Sequence, residues 1–325
     1  MSARIVKSTI KLSRNIDKYP FPAGLTFDAS KEVSEELAML IGEISPKIIR
    51  HDMVGLDEED KKVLHQQGLI TDNMIHNTIH SSLLESENMI YRLNDDDHLA
   101  IVSSSDRDSL GVLWDRVKIA EETIGDKLNF AFDIKLGYLT SRLTAVGTGL
   151  KISVVLHLPG IQRTGYMDKL GQAVHQVGFS LKACYSESDK SKWGLFELSN
   201  LVTIGKTEAE LIESMEELID RIEKKEQDAI DTLLSAQDKR LEDELFRAYG
   251  LLKYARLLDY EESMTLLTKV RMGCLMGYFK EIDIKTIDSL LFTIHPILIE
   301  GKQQQIGRKS NLIRAEYIQA HIGHV

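Results

Sequence analysis

Three aspartates stand side by side at positions 95 to 97, inside the run Asn94–Asp95–Asp96–Asp97–His98. Adjacent carboxylates repel one another, and each needs a partner or solvent to stay charged. The run could be a solvated hairpin tip, a magnesium site, or the acid/base end of a catalytic cleft. Three other polar segments border strand-like stretches. "KSTIKLSRN" carries Lys7, Lys11 and Arg14; "SRLTAVGTGLK" carries Arg142 and Lys151; "LKACYSESDKSK" carries Lys182 and Glu187. If the four segments converge, several cations meet two or more carboxylates. Phosphoryl transfer needs that combination: cations around a polyphosphate, and a carboxylate to take a proton or orient the nucleophile. Spacing alone does not require convergence, because solvated turns between strands have the same composition. The "GTG" at 147 to 149 matches neither the P-loop nor the dinucleotide fingerprint and reads as a tight turn. His98 and His157 lie in apolar strands, where a satisfied core histidine is the commoner arrangement, and the two alone do not define a zinc site.

The elements that must position these residues follow from periodicity. A short alternating run, Ile10 to Ser13, precedes a turn region set by Pro20, Pro22 and Gly24. Residues 30 to 50 predict a helix with Ser30 as N-cap, Val33 and Leu37 on one face, and Pro46 ending or bending it. "MIYRL" and "HLAIV" predict two strands of a hairpin joined by "NDDD". Residues 107 to 126 return to helical spacing, with Leu110, Leu113, Val117, Ala120 and Ile124 on one face. A strand near 130, a long polar loop, the strand "ISVVLHL" and a strand pair over 178 to 203 follow. Thr207 and Glu210 form a capping-box match, after which the chain is almost entirely helical. The fold class expected is α+β: an antiparallel or mixed sheet flanked by helices over residues 1 to 235, then a helical unit over 236 to 325.

Of the 325 residues 43% are hydrophobic and 28% charged, with net charge −10 and a pI near 5.5. An acidic total argues against nonspecific nucleic-acid binding. Two cysteines, Cys184 and Cys274, make no disulfide framework. The first residues lack a secretory pattern, and no stretch approaches the ~20 apolar residues of a membrane span, so a cytoplasmic protein is expected.

The same four segments, in this order, resemble the ATP:guanidino phosphotransferases, most closely the bacterial protein-arginine kinases of the McsB type. The family's S-S-R-x-R-L-A-R-N is similar to "KSTIKLSRN", and its N-E-E-D-H-x-R hairpin to "NDDDHLA". Its L-G-Y-L-T-x-C-P-T-N-x-G-T-G-L-R-A-S-V is similar to "LGYLTSRLTAVGTGLKISV", and its Arg-Gly-x-Tyr-Gly-Glu loop and I-S-N to "KACYSE" and "LSN". "FRAYGLLKYARLL" and "VRMGCLMGYFK" fit that kinase's helical C-terminal part. The resemblance covers nearly the whole chain.

It implies MgATP as cofactor, the magnesium held mainly by phosphates and water. It also implies protein substrates phosphorylated on arginine. Asp96 stands at the position of the catalytic base, and Glu187 at that of a loop glutamate that helps hold the substrate guanidinium. Five family arginines surround the ATP phosphates; the matching positions are Thr9, Lys11, Ala100, Lys151 and Lys182. None is arginine, and lysine, a point charge, cannot reproduce the bidentate fork. Arg14 and His98 fall beside the nucleotide in the same motifs. The C-P-T-N segment becomes Arg142, Leu143, Thr144 and Ala145, which puts a cation where a substrate guanidinium would sit. A phosphoarginine-binding R-D-x-x-R-A reads "SNLIRA", keeping Arg314 but placing Ser310 and Asn311 at the first two positions. Two readings follow. One is an impaired or non-catalytic pseudokinase serving as a regulatory binding module, paired with an active kinase or a protease adaptor. The alternative is an active protein-arginine kinase that uses lysine in place of arginine. Transfer to a different acceptor is a weaker third, since Arg142 suits an anion better than a guanidinium. A homodimer through the C-terminal helices is implied for either of the first two.

Overall fold

The computed structural model describes residues 3–45, 47–184, 193–300 and 308–323. In chain order the first half forms β1 (Ile5–Arg14), α1 (Phe27–Ile44), β2 (Ile49–Asp52), α2 (Glu58–Gln66), α3 (Asp72–His76), β3 (Ser82–Glu85), β4 (Ile90–Leu93), β5 (Leu99–Ser105), α4 (Leu110–Gly125), β6 (Phe132–Asp133) and β7 (Gly137–Tyr138). Then come β8 (Leu150–His157), α5 (Pro159–Arg163), α6 (Met167–Gln176), β9 (Phe179–Ala183), β10 (Leu195–Asn200), α7 (Glu208–Ser235), α8 (Lys239–Tyr254), α9 (Tyr260–Leu275), α10 (Ile284–Thr293), α11 (Pro296–Glu300) and α12 (Arg308–Ile322). Eight strands share one sheet in the order β2-β3-β4-β5-β1-β8-β10-β9. The fold is the expected sheet flanked by helices with a helical C-terminal part.

Two compact units divide the chain, one of Ser8–Ser153 with Ser199–Glu217, the other of Met1–Lys7, Val154–Leu198 and Leu218–Val325. They interleave along the sequence because β1, β8 and β10 each run on from one unit into the other. Consecutive pieces meeting near residue 235 are a coarser division than this one, although every described element after Ser235 is helical.

In the first unit, β1, β5, β4, β3 and β2 pair antiparallel in succession, with Ser13 opposite Ala100 and Ala100 opposite Arg92. The five apolar positions expected for α4 are its buried residues, and Ser109 caps it by accepting from the Val112 amide. The N-cap of α1 is Thr26, not Ser30: Thr26 has extended backbone and accepts from the Ala29 amide. Ser30 is buried in the first turn, donating to the Phe27 carbonyl and accepting from the His80 amide. Pro46 lies outside the described residues. The strand expected near 130 is instead the small hairpin β6–β7. Its turn forms because Asp133 accepts from the amides of Lys135 and Leu136, and Gly137 takes φ +82°. A satellite core of Met53, Leu64, Ile70, Met74 and Leu83 lies under α2 and α3.

The second unit is organised around α8, α9, α10 and α12, whose apolar faces form one cluster with Val6, Trp193 and Leu195. At its centre Arg271 and Asp288 are both fully buried and paired at 2.6 Å. Arg271 also donates to the Ala3 carbonyl (2.8 Å) and to His157 Nδ1 (3.2 Å), and Lys285 adds a second cation to Asp288 at 3.1 Å. Burial and the Arg271 charge push His157 well below the usual histidine range, so the neutral ring accepts from the guanidinium. Glu226 on α7 is buried and accepts from the amides of Gly160 (2.7 Å) and Ile161 (2.9 Å) at the start of α5. Gly160 allows this close approach: a Cβ would stand 2.9 Å from Glu226 Oε1 and 3.1 Å from the Ile230 backbone nitrogen, so the carboxylate would have to shift. Among the described residues no helix is long and apolar enough to cross a membrane.

Removing one partner of a buried pair strands a charge, at a cost of about 3–5 kcal/mol. Asp288→Asn is therefore expected to lower the unfolding free energy by that amount in denaturant titrations; a loss below ~1 kcal/mol would contradict the hub. Burial pushes the Glu226 carboxyl up to about 7, outweighing the two amides and Arg4, which favour the charged form. Between about 4.5 and 7 the folded chain thus holds a proton that the unfolded chain has released. The contribution is full below about 4.5 and lost as pH rises through about 7. Stability of the wild type relative to Glu226→Gln should fall by roughly 2–3 kcal/mol from pH 4.5 to 7.5; a flat difference would exclude the raised carboxyl.

Candidate active site

The acid hairpin between β4 and β5 sends its three carboxylates in three directions. Asn94 turns the chain at φ 52°, donating its amide to the His98 carbonyl and its side chain to the Ser30 and His80 carbonyls. Asp95 is buried and accepts from Thr71 Oγ1 at 2.7 Å and Asn73 Nδ2 at 3.3 Å. Asp97 is buried and accepts from Asn15 Nδ2 at 2.8 Å and the Ser141 amide at 2.7 Å. Asp96 reaches the surface, where Arg142 Nε meets its Oδ2 at 2.7 Å. Among the described residues no group of three or more His, Cys, Asp or Glu is arranged to hold a metal ion, and the three aspartates take separate partners.

His98 ties the hairpin to the end of β1. Its amide donates to Asn15 Oδ1 (2.9 Å), and its Nδ1 accepts from the Ile16 amide (3.0 Å). The proton therefore sits on Nε2, which donates to the Pro20 carbonyl at 2.9 Å. Burial lowers the pKa of His98, keeping it neutral. Both ring nitrogens of His98 are thus engaged by backbone groups, which ties the hairpin to the residues after β1. Arg14, also placed beside the nucleotide by its motif, is buried as well. It donates to Glu121 and to the Ser13 and Thr148 carbonyls, and its guanidinium stacks 3.4 Å from the Tyr138 ring centroid. The "GTG" glycines serve this packing. A Cβ on Gly149 (φ +68°) would lie 2.5 Å from the Ser13 carbonyl oxygen, and one on Gly147 (φ +116°) 2.6 Å from that of Thr203.

The five positions that the resemblance matches to phosphate-binding arginines have different surroundings. Thr9 shares a hydroxyl contact with Ser104 at 3.0 Å, and Ala100 is buried. Lys151 Nζ donates to Ser199 Oγ (2.9 Å) and the Asn200 carbonyl (2.7 Å). Lys11 is largely buried and has no hydrogen-bond or ion-pair partner among the described residues. Burial lowers its pKa, against the fields of Asp95, Asp97 and Asp96. Lys182 is exposed on β9 in the other compact unit, and Glu187 lies outside the described residues. Thr144 is exposed, its carbonyl accepting from Thr203 Oγ1. Arg314 is buried and donates to the Ile294 and Leu258 carbonyls, to Asn311 Oδ1 and to Ser310 Oγ, so the side chains of the phosphoarginine-like motif hold one another.

The structure brings Asp96 to Arg142 and sets Lys11 within the field of Asp96, and sequence reasoning passed over Asn15 and Arg92. The available signal for Arg92 was a lone cation inside the strand "MIYRL".

Solved structures give the class. Lombricine kinase superposes with TM-score 0.61 at 15% identity over 70% of this chain and 67% of its own. The duplicated taurocyamine kinase of Schistosoma mansoni superposes with TM-score 0.60 at 20% identity over 67% of this chain and a third (33%) of its own length. The fold is that of the guanidino kinases. The model of the ATP:guanido phosphotransferase C-terminal catalytic domain matches residues 28–229, and that of the protein-arginine kinase McsB C-terminal domain matches 238–325. The protein-arginine kinase of Caldanaerobacter subterraneus subsp. tengcongensis is 30% identical over 98% of this chain and 96% of its own. That of Clostridium kluyveri is 31% identical over 91% of this chain and 87% of its own. The chain belongs to the ATP:guanido phosphotransferase family, on its protein-arginine kinase branch.

Asn15→Ala would orphan the His98 amide and remove a donor from buried Asp97. Each such loss costs about 1–3 kcal/mol. The variant is expected to lose about 2–4 kcal/mol of stability by denaturant titration, and a change below ~0.5 kcal/mol would show that Asn15 does not tie the hairpin down.

Proposed function

We propose that this protein is an impaired or non-catalytic member of the protein-arginine kinases, used as a regulatory binding module. The observation that carries this reading is the Arg142–Asp96 ion pair. At the position where a base should receive a substrate guanidinium, the chain presents a guanidinium of its own. Arg142 is 67% exposed, so the pair contributes little stability; its effect is to set a positive charge where a cationic substrate must approach. Ala100 and Thr9 offer no cation at two phosphate-grip positions, and Lys151 is engaged internally. Loss of one preorganised donor at such a site costs about 3 kcal/mol, roughly a hundredfold in rate. The second reading, an active kinase, is supported by Lys11, which has no ion-pair partner among the described residues, and by retention of an acid at position 96. In either reading ATP enters with Mg2+ held by its phosphates. A partner, either a second copy or an active kinase or adaptor, would be met through the helical part, where α8 and its C-terminal flank expose Phe246, Leu251, Tyr254 and Leu257.

The test is phosphoryl transfer. Incubated with MgATP and an arginine-rich protein, the wild type is expected to form no more acid-labile phosphoarginine than Asp96→Asn. A wild-type signal tenfold or more above that variant would establish the active reading and overturn this one.

A further inference from the structure

We propose that Arg92 is the cation that grips anions at this site, standing in across the strand pair for the position occupied by Ala100, and that Arg92 and Lys11 together form a cradle for a phosphate or polyphosphate. The proposal deepens the reading of the site as a binding module and does not depend on whether transfer occurs.

Register is the first observation. Arg92 on β4 lies directly opposite Ala100 on β5, and Ala100 lies directly opposite Ser13 on β1. Residues facing each other across antiparallel strands share a face, with Cβ atoms about 5 Å apart. Lys11 is two residues from Ser13 and so on that face too. Arg92 and Lys11 thus flank the one side chain in the row that is only a methyl group. An arginine at 100 would set like charges opposite each other, which is destabilising; alanine there leaves Arg92 without a cation opposite it.

The donor inventory is the second. Arg92 Nε donates to the Leu69 carbonyl at 2.8 Å and Nη2 to the Gly68 carbonyl at 2.7 Å, both in the turn between α2 and α3. That clamp fixes the plane of the guanidinium. Nη1 has no protein partner among the described residues, and neither has the Lys11 ammonium. The carboxylates whose fields reach both cations are engaged elsewhere: Asp95 with Thr71 and Asn73, Asp96 with Arg142. Asp97, whose field reaches Lys11, is held by Asn15 and the Ser141 amide. Two cations partly withdrawn from water, each pushed toward its neutral form by burial, carry a desolvation cost that a contacting anion would offset. A guanidinium held along one edge and open at Nη1 is preorganised for a phosphate oxygen.

Titration calorimetry of the full-length chain with inorganic pyrophosphate, and separately with MgADP, tests this at fixed ionic strength. Wild type should bind, and Arg92→Ala and Lys11→Ala should each weaken binding at least tenfold, with the remote surface variant Lys118→Ala unchanged. Arg92→Lys, which keeps the charge and loses the clamp, should fall between. If Arg92→Ala does not fold, the double variant Arg92→Met with Ala100→Arg decides. It returns the cation to the other strand, and recovered binding supports the cradle while absent binding overturns it. Absence of wild-type binding at millimolar probe, or an Arg92→Ala dissociation constant within twofold of wild type, would also overturn it. The transfer assay reads catalysis and these titrations read binding, so each can fail alone.

Discussion

The region from β1 to the 140s loop depends on how one asparagine divides its hydrogen bonds. Asn15 gives its side-chain N–H to Asp97 and takes the His98 amide on its oxygen, while His98 returns to Ile16 and Pro20. Asp97 passes the connection on to the Ser141 amide. Asn15, Ile16, Asp97 and His98 are buried, so leaving one of their polar groups unmade costs the desolvation of the orphan. The hairpin, the end of β1 and the start of the 140s loop therefore hold one geometry together. With its two neighbours committed inward, Asp96 is the carboxylate presented to solvent, and Arg142, one residue beyond the anchored Ser141 amide, is placed to meet it.

Around that frame the cations have been redistributed. Arg14 is spent on carbonyls, Glu121 and the Tyr138 ring, and Lys151 on the end of β10. Arg314, in the helical unit, closes a loop instead of an open pocket. Lys11 and Arg92 differ from these in keeping donors without protein partners among the described residues. Charge count in the motifs is a poor guide to function for this reason: a buried arginine with satisfied donors supports packing, and an unsatisfied one points to a ligand.

Much of the fold was legible because its signals are local. The α4 face, the hairpin strands and the Thr207–Glu210 box on α7 follow directly from periodicity and capping chemistry. The α1 cap was misplaced by one turn because Thr26 and Ser30 are both good caps, and only the tertiary burial of Ser30 distinguishes them. The β6–β7 hairpin was hidden because its turn depends on Asp133 and Gly137 more than on apolar alternation. The motifs singled out Asp96 and Lys11. They could not show that Arg142 would sit on Asp96, or that Arg92 faces Ala100, because both depend on register across strands and loops distant in sequence.

The state of the Arg142 guanidinium is the most direct measure of whether the Asp96 carboxylate is held from within, as the proposed function requires. In protein carrying 15N-labelled arginine, the Arg142 Nε–H signal can be assigned by its loss in Arg142→Lys. It should shift, and exchange faster with solvent, in Asp96→Asn. A signal with the same position and exchange rate in wild type and Asp96→Asn would mean that Arg142 does not occupy the carboxylate, and the account of a self-occupied base would be wrong.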